Sequence, residues 1–122
     1  VVLVTNARCP IESLSMLEVR KAYFGLLVSH EGYAVRALRL NNDDELSLVF
    51  YQAVAAMSEK SYERRLLSML LKYGTPRPPE FGSVDRLVAE LQATDCSIAY
   101  LWRDDAAAIE GIRELRLLWQ GD

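Results

Sequence analysis

The chain has 122 residues, of which 51% are apolar and 25% are charged, and its formal net charge is −3. This length fits one domain, residues 1–122, and excludes a multidomain protein. The small acidic charge offers no basic surface for nucleic acid, and no apolar run is long enough to span a bilayer, so neither nucleic acid nor a membrane span is expected.

The first elements predicted along the chain are a strand, a helix and a second strand. Val1–Thr5 is a continuous apolar run rich in β-branched residues, which is typical of a strand buried on both faces. Ser13 or Ser15 is placed to cap a helix that ends near Gly25. Tyr33–Leu40 alternates well enough between apolar and polar residues to be the second strand.

Two helices are predicted next. Asp43 or Asp44 is placed to cap the first of them, whose apolar positions continue to Met57. Ser58 opens the second helix, which carries a further apolar stripe and ends at Gly74, because glycine readily adopts the left-handed conformation that terminates helices.

The final part of the chain opens with GTPRPPEFG, residues 74–82, which is rich in proline and glycine. A rigid connection between helices is the expected role, and a polyproline ligand for an aromatic groove is the alternative. Ser83 is placed to cap a short helix, and two more apolar strands are predicted at Cys96–Trp102 and Ile112–Trp119.

Motifs for catalysis or cofactor binding are missing from the sequence. It contains no phosphate-binding P-loop, no dinucleotide-binding glycine motif, no serine-hydrolase elbow and no HExxH. The single histidine, His30, lies in a polar turn, where a solvated side chain is expected. We therefore expect neither an enzyme nor a cofactor.

The two cysteines, Cys9 and Cys96, are too far apart in sequence for a CxxC redox pair. A zinc site would need carboxylates as further ligands, so no metal site is expected. At this level two alternatives stay open, namely two separate buried thiols or one long-range disulfide.

The loop after the second strand combines two opposing features. A strand that delivers a loop to a helix N-terminus often builds an anion site, because free N–H groups and the helix dipole point at the ligand. This loop, however, continues from Asn41 and Asn42 into three acids, Asp43, Asp44 and Glu45. Acids in a first helical turn are expected to act as caps and dipole partners, with a weak cation site as the alternative.

Taken in order, several segments resemble the phosphate-binding-protein-like members of the type 2 periplasmic solute-binding superfamily. The segments are VVLVTN, SLSMLEVRKAYFG, YAVRALRL with LSLVFYQAVAAMS, and FGSVDRLVAELQATDCSIAYL. The similarity covers nearly the whole chain. Within it, Tyr23-Phe24-Gly25 resembles the family's Phe/Tyr-x-Gly turn, Phe50-Tyr51 its aromatic-rich helix, and Ala99-Tyr100 its Gly-Tyr strand start.

The resemblance implies a fold and a compartment. The fold is a single three-layer α/β/α domain with a mixed sheet of about four strands, one of them antiparallel, equivalent to one lobe of such a receptor. Its first strand is expected to run antiparallel beside the strand at Ile98–Trp102. The resemblance also implies a periplasmic or secreted protein, with a signal segment ahead of these residues, related to the substrate-binding proteins of phosphate ABC transporters.

The ligand that the family binds is not expected here. Its phosphate loop is rich in Ser, Gly and Thr, whereas Asp43, Asp44, Glu45 and Leu46 supply no hydroxyl and no glycine. Each fixed carboxylate repels a nearby dianion by about 1 to 4 kcal/mol at roughly 4 Å, so tight phosphate binding is not expected.

Two functions are compatible with a single lobe. A solute-binding domain with an altered preference would hold a small molecule or ion in one pocket, with a second chain completing the cleft. The polar residues expected to line that pocket are Thr5, Asn6, Asn41, Asn42, Asp43 and Asp44. A non-catalytic interaction module would instead bind a protein partner, or a second copy of itself, through an apolar patch around Trp102 or Trp119.

The resemblance also bears on the cysteines. Cys9 comes just after the first strand, and Cys96 just before the Ile98 strand. If these two strands are antiparallel neighbours, the end of the first lies beside the start of the second, so the two cysteines lie near each other. In the oxidising compartment that the resemblance implies, the two thiols are then expected to form a disulfide if their Cα atoms come within about 7 Å. Two free thiols in a reducing cytoplasm are the alternative.

Overall fold

A mixed β-sheet with helices forms the α/β fold of residues 1–121, which are the residues described by the structure, a computed structural model. The strands are β1 Val2–Asn6, β2 Val28–His30, β3 Tyr33–Ala37, β4 Arg39–Leu40, β5 Glu80–Phe81, β6 Ser97–Leu101 and β7 Ile112–Leu117. The helices are α1 Met16–Tyr23, α2 Asp44–Val49, α3 Glu59–Tyr73, α4 Val84–Ala93 and α5 Arg103–Ala107, and a π-helical segment, Phe50–Ala55, continues α2.

The main sheet has five strands in the order β2-β3-β6-β1-β7. β1 runs antiparallel to both β6 and β7, and β3 runs parallel to β6. The predicted antiparallel pairing of the first strand is therefore confirmed, with Val2 opposite Leu101 and Thr5 opposite Ile98. Every residue of β1 and β6 is buried, as expected for central strands made of continuous apolar runs.

The sheet differs from the sequence prediction at its β2 edge. The strand β2 was not predicted, and it forms a hairpin with β3 through Glu31 and Gly32. Both turn residues have positive φ, 53° and 84°, as a two-residue type I′ turn requires. Asn-Gly is the usual sequence of such a turn, and Glu-Gly is a weaker signal. His30 was predicted to lie in a polar turn but ends β2, where its side chain is 32% exposed and Nδ1 lies 3.3 Å from Glu18 Oε2.

The predicted strand Tyr33–Leu40 is divided in two because the chain changes partners at Leu38. The Leu38 N–H donates to the Ile98 carbonyl of the main sheet, whereas the Arg39 N–H donates to the Pro79 carbonyl. Arg39 and Leu40 thereby form β4, which pairs in parallel with β5 as a separate two-stranded sheet.

Most helix ends lie where capping residues predicted them. Ser15 forms a reciprocal capping box with Glu18, and side chains of Asp43, Ser58 and Ser83 cap α2, α3 and α4. Gly74, at φ +68°, ends α3. The first helix is shorter than expected, and the segment between β6 and β7, for which no element was predicted, contains α5.

An aromatic cluster joins the helices to the sheet. Phe50 stacks on Tyr100 with ring centroids 4.7 Å apart and meets Tyr23 and Tyr62 edge-on. The buried hydroxyls are satisfied by backbone groups, since the Tyr23 hydroxyl donates to Leu38 O at 2.9 Å and the Tyr100 hydroxyl accepts from Leu40 N at 3.2 Å. Burial raises the pKa of Tyr100 to about 12, so these groups stay neutral.

Cys9 and Cys96 form a disulfide in the structure, with Cα atoms 4.9 Å apart and 87 positions between them in sequence. The bond joins the loop after β1 to the turn before β6. Both cysteines are buried, and Arg113 of β7 donates a hydrogen bond to the Cys9 carbonyl at 2.7 Å. The loop after β1 is therefore tied to both neighbouring strands.

Candidate functional site

Thr5 and Asn6, two of the predicted ligand residues, are fully buried and bonded within the protein. The Thr5 hydroxyl donates to Ser97 O at 2.7 Å. The Asn6 amide donates to Thr94 O at 2.7 Å and Leu91 O at 3.2 Å, at the end of α4. These contacts attach β1 to β6 and α4, so both side chains serve the fold and neither is open to a ligand.

Asn41 and its neighbours lie at the other end of the sheet. Because β1 is antiparallel to β6, Asn6 at its end lies beside the start of β6. Asn41 follows β4. Leu40 of β4 donates its N–H to the Tyr100 hydroxyl near the end of β6, and the Asn41 N–H donates to Phe81 O at 2.7 Å. The structure does not bring Thr5 and Asn6 together with the loop of residues 41–44.

Asp43 is occupied as a helix cap. One carboxylate oxygen accepts from the N–H groups of Glu45, at 2.9 Å, and Leu46, at 3.2 Å. The other accepts from the indole N–H of Trp102 at 2.8 Å. The Trp102 hydrogen bond, followed by the backbone bonds, lowers the pKa of Asp43 and keeps it ionised. The N–H groups of Glu45 and Leu46 are donors that an incoming anion would need, and the Asp43 carboxylate already accepts from both of them.

Trp119 lies beside Trp102, and Leu117, which lines the same hollow, is 38% exposed, so a small exposed apolar surface is present at this place. Trp102 is half-buried and donates its indole N–H to Asp43. The centroid of its ring lies 6.5 Å from that of Trp119. Trp119 keeps 40% of its surface exposed. More strongly exposed apolar side chains lie elsewhere, at Leu27, which is 87% exposed, and on α3, where Leu71 is 76% exposed and Tyr73 73%.

A groove of about 740 Å³ lies beside the loop of residues 41–44. We call it the acidic groove and define it by Asp44, Leu48, Tyr51, Met57, Glu59 and Glu80. Polar lining comes in addition from Asn41, Ser47, Gln52 and Ser58. Its volume lies within the range of about 300 to 1,000 Å³ that is usual for small-molecule sites, and its mixture of apolar wall and a few polar groups is typical of them.

The π-helical segment shapes one wall of this groove. A π-helical turn widens the helix by one residue and is frequent at functional sites. Here Tyr51 and Gln52 of the segment line the groove, while Phe50 and Val54 pack into the core. The segment ends at Ala56, a non-glycine residue held at φ +59°, after which the chain turns into the cap of α3.

Arg39 lies behind the wall of the groove and fixes two of its lining residues. Its side chain is only 4% exposed, donates to the Tyr51 hydroxyl at 2.8 Å, and lies 3.9 Å from Glu80. It also donates to Glu63 at 3.2 Å, and Glu63 in turn pairs with Arg77. A buried cation in this position is sheltered and paired, so it cannot receive an anion from the groove.

Aromatic rings complete the surroundings of Arg39. Its guanidinium carbon lies 4.9 Å from the ring centroid of Tyr62 and 5.4 Å from that of Phe50. Burial opposes the charged form, but the nearby phenol groups and Glu80 outweigh it, so the net effect raises the pKa of Arg39 further. Arg39 therefore stays protonated and partly neutralises Glu80.

The charge that the groove presents to a ligand is negative. Within the described chain no Lys, Arg or His lines it, and Asp44 and Glu59 have no salt-bridge partner there. Among residues 1–121 no three His, Cys, Asp or Glu side chains are close enough together to hold a metal ion. The groove therefore carries three carboxylates, of which Asp44 and Glu59 are without a salt-bridge partner in residues 1–121.

The ligand-binding residues predicted from the sequence include Asn41 and Asp44 of this groove. They do not include Glu59 and Glu80, which also line it, or Arg39 behind its wall. Glu59 and Glu80 come from distant segments and read as ordinary surface acids. Arg39 had a recognisable signal, because it is a charged residue inside the otherwise apolar run of residues 37–40, and such a residue is rarely buried unless it is paired.

Comparison of the chain with protein-family models, with curated proteins and with solved structures gives no match. None of the helices in residues 1–121 is both long and apolar enough to cross a membrane.

Proposed function

We propose that the chain is a solute-binding-like domain of the type 2 periplasmic class that takes a cationic solute, and not phosphate, in its acidic groove. In this proposal it is one three-layer lobe, located in the periplasm or outside the cell, and it is not an enzyme. Its nearest functional relatives are then the substrate-binding proteins of phosphate transporters.

The observation that carries this proposal is the lining of the 740 Å³ groove, where carboxylates of Asp44, Glu59 and Glu80 surround an apolar wall and no cation is exposed. The unpaired carboxylates of Asp44 and Glu59 would attract the ammonium groups of an amine. The methylene groups of the amine would pack against Leu48 and Met57. A phosphate dianion would meet repulsion from the same groups. The helix N-terminus next to it is already capped by Asp43.

The fold and the disulfide are consistent with the proposed class and compartment. The antiparallel pairing of β1 with β6 is the strand arrangement that the resemblance implies. A disulfide that closes a loop of this length is typical of proteins that fold in oxidising compartments.

A thermal-shift panel tests the ligand class, because a ligand that binds only the folded state raises its melting temperature. The panel contains phosphate, sulfate, magnesium, putrescine, spermidine and glucose at one ionic strength and pH 7. We expect stabilisation by the two amines and none by phosphate. Stabilisation by phosphate without any effect of the amines would overturn the proposal.

Matched variants locate the binding. D44N/E59Q removes two groove charges while keeping side-chain size, and E12Q/D85N removes two exposed charges outside the groove. We expect the amine effect to disappear in the first variant and to persist in the second. An amine effect that survives in D44N/E59Q would place binding elsewhere and contradict the proposal.

A non-catalytic interaction module is the second candidate function. The exposed Leu67 and Leu71 on α3 favour it, because large apolar side chains left in solvent are typical of a contact surface. If no compound in the panel stabilises the protein, this candidate is preferred to the first.

A further inference from the structure

A second groove lies beside the acidic groove and carries the opposite charge. We call it the basic groove and define it by Met57, Arg64, Arg65, Met69, Lys72 and Tyr73. Its volume is about 520 Å³ and, within the described residues, no acid lines it. Arg64 and Lys72 are exposed and form no salt bridge within that part of the chain, while Arg65 stacks over Phe24 at 5.2 Å.

The two grooves are adjacent because Met57 lines both of them. α3 begins in the acidic groove, where Glu59 is its first residue, and its later turns supply Arg64 and Lys72 to the basic groove. One face of the molecule therefore carries a negative and a positive concavity side by side, with a flexible apolar side chain at their boundary.

Exposed apolar side chains also occur in the lining of the acidic groove and on α3, the helix that carries Arg64 and Lys72. Leu48 beside the acidic groove is 55% exposed, and on α3 Leu67 is 50% exposed and Leu71 76%. Only Tyr62 and Leu66 of the 15 residues in α3 are fully buried. The helix thus presents an apolar and basic outer face that nothing in the described chain covers.

We propose that a second copy of this chain docks on this face, with a two-fold axis close to Met57. A two-fold axis at the boundary sets the acidic groove of each copy against the basic groove of the other, so the same ion pairs form twice. The partner's Arg64 and Lys72 then meet Asp44 and Glu59, and the methylene stems of these cations cover Leu48 and Met57. The inference rests on the acidic-groove chemistry of the proposed function, for which it names a protein partner.

Charge-swap variants test this pairing by analytical ultracentrifugation at about 0.1 mM protein, where dimers with micromolar dissociation constants are populated. Wild type is expected at twice the 13.8 kDa of the chain, with a dissociation constant that rises as salt increases. R64E/K72E makes both grooves acidic and is expected to be monomeric. D44K/E59K makes both grooves basic and is expected to be monomeric as well.

An equimolar mixture of the two variants is the decisive sample. Each groove of one variant then faces an oppositely charged groove of the other, so a heterodimer is expected. The control K21E/R86E changes the net charge as much as R64E/K72E does but lies outside both grooves, and it is expected to dimerise like wild type. A monomeric wild type, or a mixture that stays monomeric although each variant is folded, would overturn the proposal.

Folding and ligand binding are checked separately. If D44K/E59K fails to show a cooperative unfolding transition, D44N/E59Q replaces it and is expected to weaken dimerisation at least about tenfold, since several ion pairs are lost. An unchanged dissociation constant in D44N/E59Q contradicts the proposal. R64Q/K72Q removes the two cations without adding a carboxylate, so putrescine binding to this variant distinguishes a failure of dimerisation from a failure of the proposed function.

Discussion

Removing the disulfide between Cys9 and Cys96 is expected to cost a large part of the stability of the domain. The bond closes a loop spanning 87 positions, and the chain-entropy relation for a loop of that length gives about 4.5 kcal/mol at 25 °C. Total stabilities of such domains are about 5 to 15 kcal/mol, so the loss is a substantial fraction of the whole. With a urea slope of about 1.5 kcal/mol/M, the unfolding midpoint is expected to fall by about 3 M.

The variant for this experiment is C9A/C96A, followed by urea denaturation with far-UV circular dichroism. Alanine suits both sites because the cysteines are buried and a hydroxyl would lack a partner. Cys96 has φ +58°, and alanine carries the same left-handed strain as cysteine, so the difference reports the cross-link and not the backbone.

Wild type treated with a reductant is the control and is expected to unfold at the same urea concentration as C9A/C96A. Equal midpoints for oxidised and reduced wild type would refute the reasoning. So would alkylation of both thiols, detected by intact mass, in protein freshly purified from an oxidising compartment without reductant.

Three further substitutions test the account of the loop, the buried cation and the turn at Gly25. Asp43→Ala is expected to lose about 1 kcal/mol of stability at pH 7, the usual value of an N-cap. Because the pKa of Asp43 is lowered from 3.8, this contribution is present above about pH 4 and disappears as the pH falls through the folded-state value. Arg39→Ala is expected to cost about 1 to 3 kcal/mol, since it leaves the buried Tyr51 hydroxyl without its donor while Glu63 and Glu80 are partly exposed to water, and Arg39→Lys less. Gly25→Ala is expected to cost more than Gly32→Ala, because both have positive φ but only at Gly25 would a Cβ lie 2.8 Å from Pro76 O.

Urea denaturation checks all three substitutions, with the Asp43 pair measured at pH 7 and pH 3. A difference between wild type and Asp43→Ala that is the same at both pH values would contradict the capping account. An Arg39→Ala variant as stable as a typical surface variant would show that the buried guanidinium is dispensable. Equal losses at Gly25 and Gly32 would mean that the contact with Pro76 has no energetic weight.

The parts of the fold that could be predicted from sequence are those with local signals. β1 and β6 are continuous apolar runs, and side chains of Ser58 and Ser83 cap helices whose apolar positions repeat correctly. The antiparallel neighbour of β1 came from the family resemblance and not from periodicity, since hydrophobic pattern says nothing about which strands pair.

The parts that could not be predicted depend on contacts between distant segments. Asp44, Glu59 and Glu80 come from separate segments of the chain and line one groove. Glu80 reaches this groove because β5, which contains it, pairs with β4. Thr5 and Asn6 looked available for a ligand because polar residues at a strand end often are, but hydrogen bonds to α4 and β6 occupy them. The non-local partners that bury Thr5 and Asn6 leave no trace in the sequence around these two residues.

Isothermal titration calorimetry with putrescine and with phosphate tests the central claim, that the acidic groove binds a cation and excludes the anion, most directly. Both titrations use oxidised protein at pH 7 and the same ionic strength, because surface electrostatics depend on salt. Because a second copy and putrescine compete for Asp44 and Glu59, wild type is titrated at a protein concentration below the dimer dissociation constant. We then predict saturable binding of putrescine to wild type, loss of that binding in D44N/E59Q, and no heat of binding with phosphate. Saturable binding of phosphate, with none of putrescine, would contradict the claim.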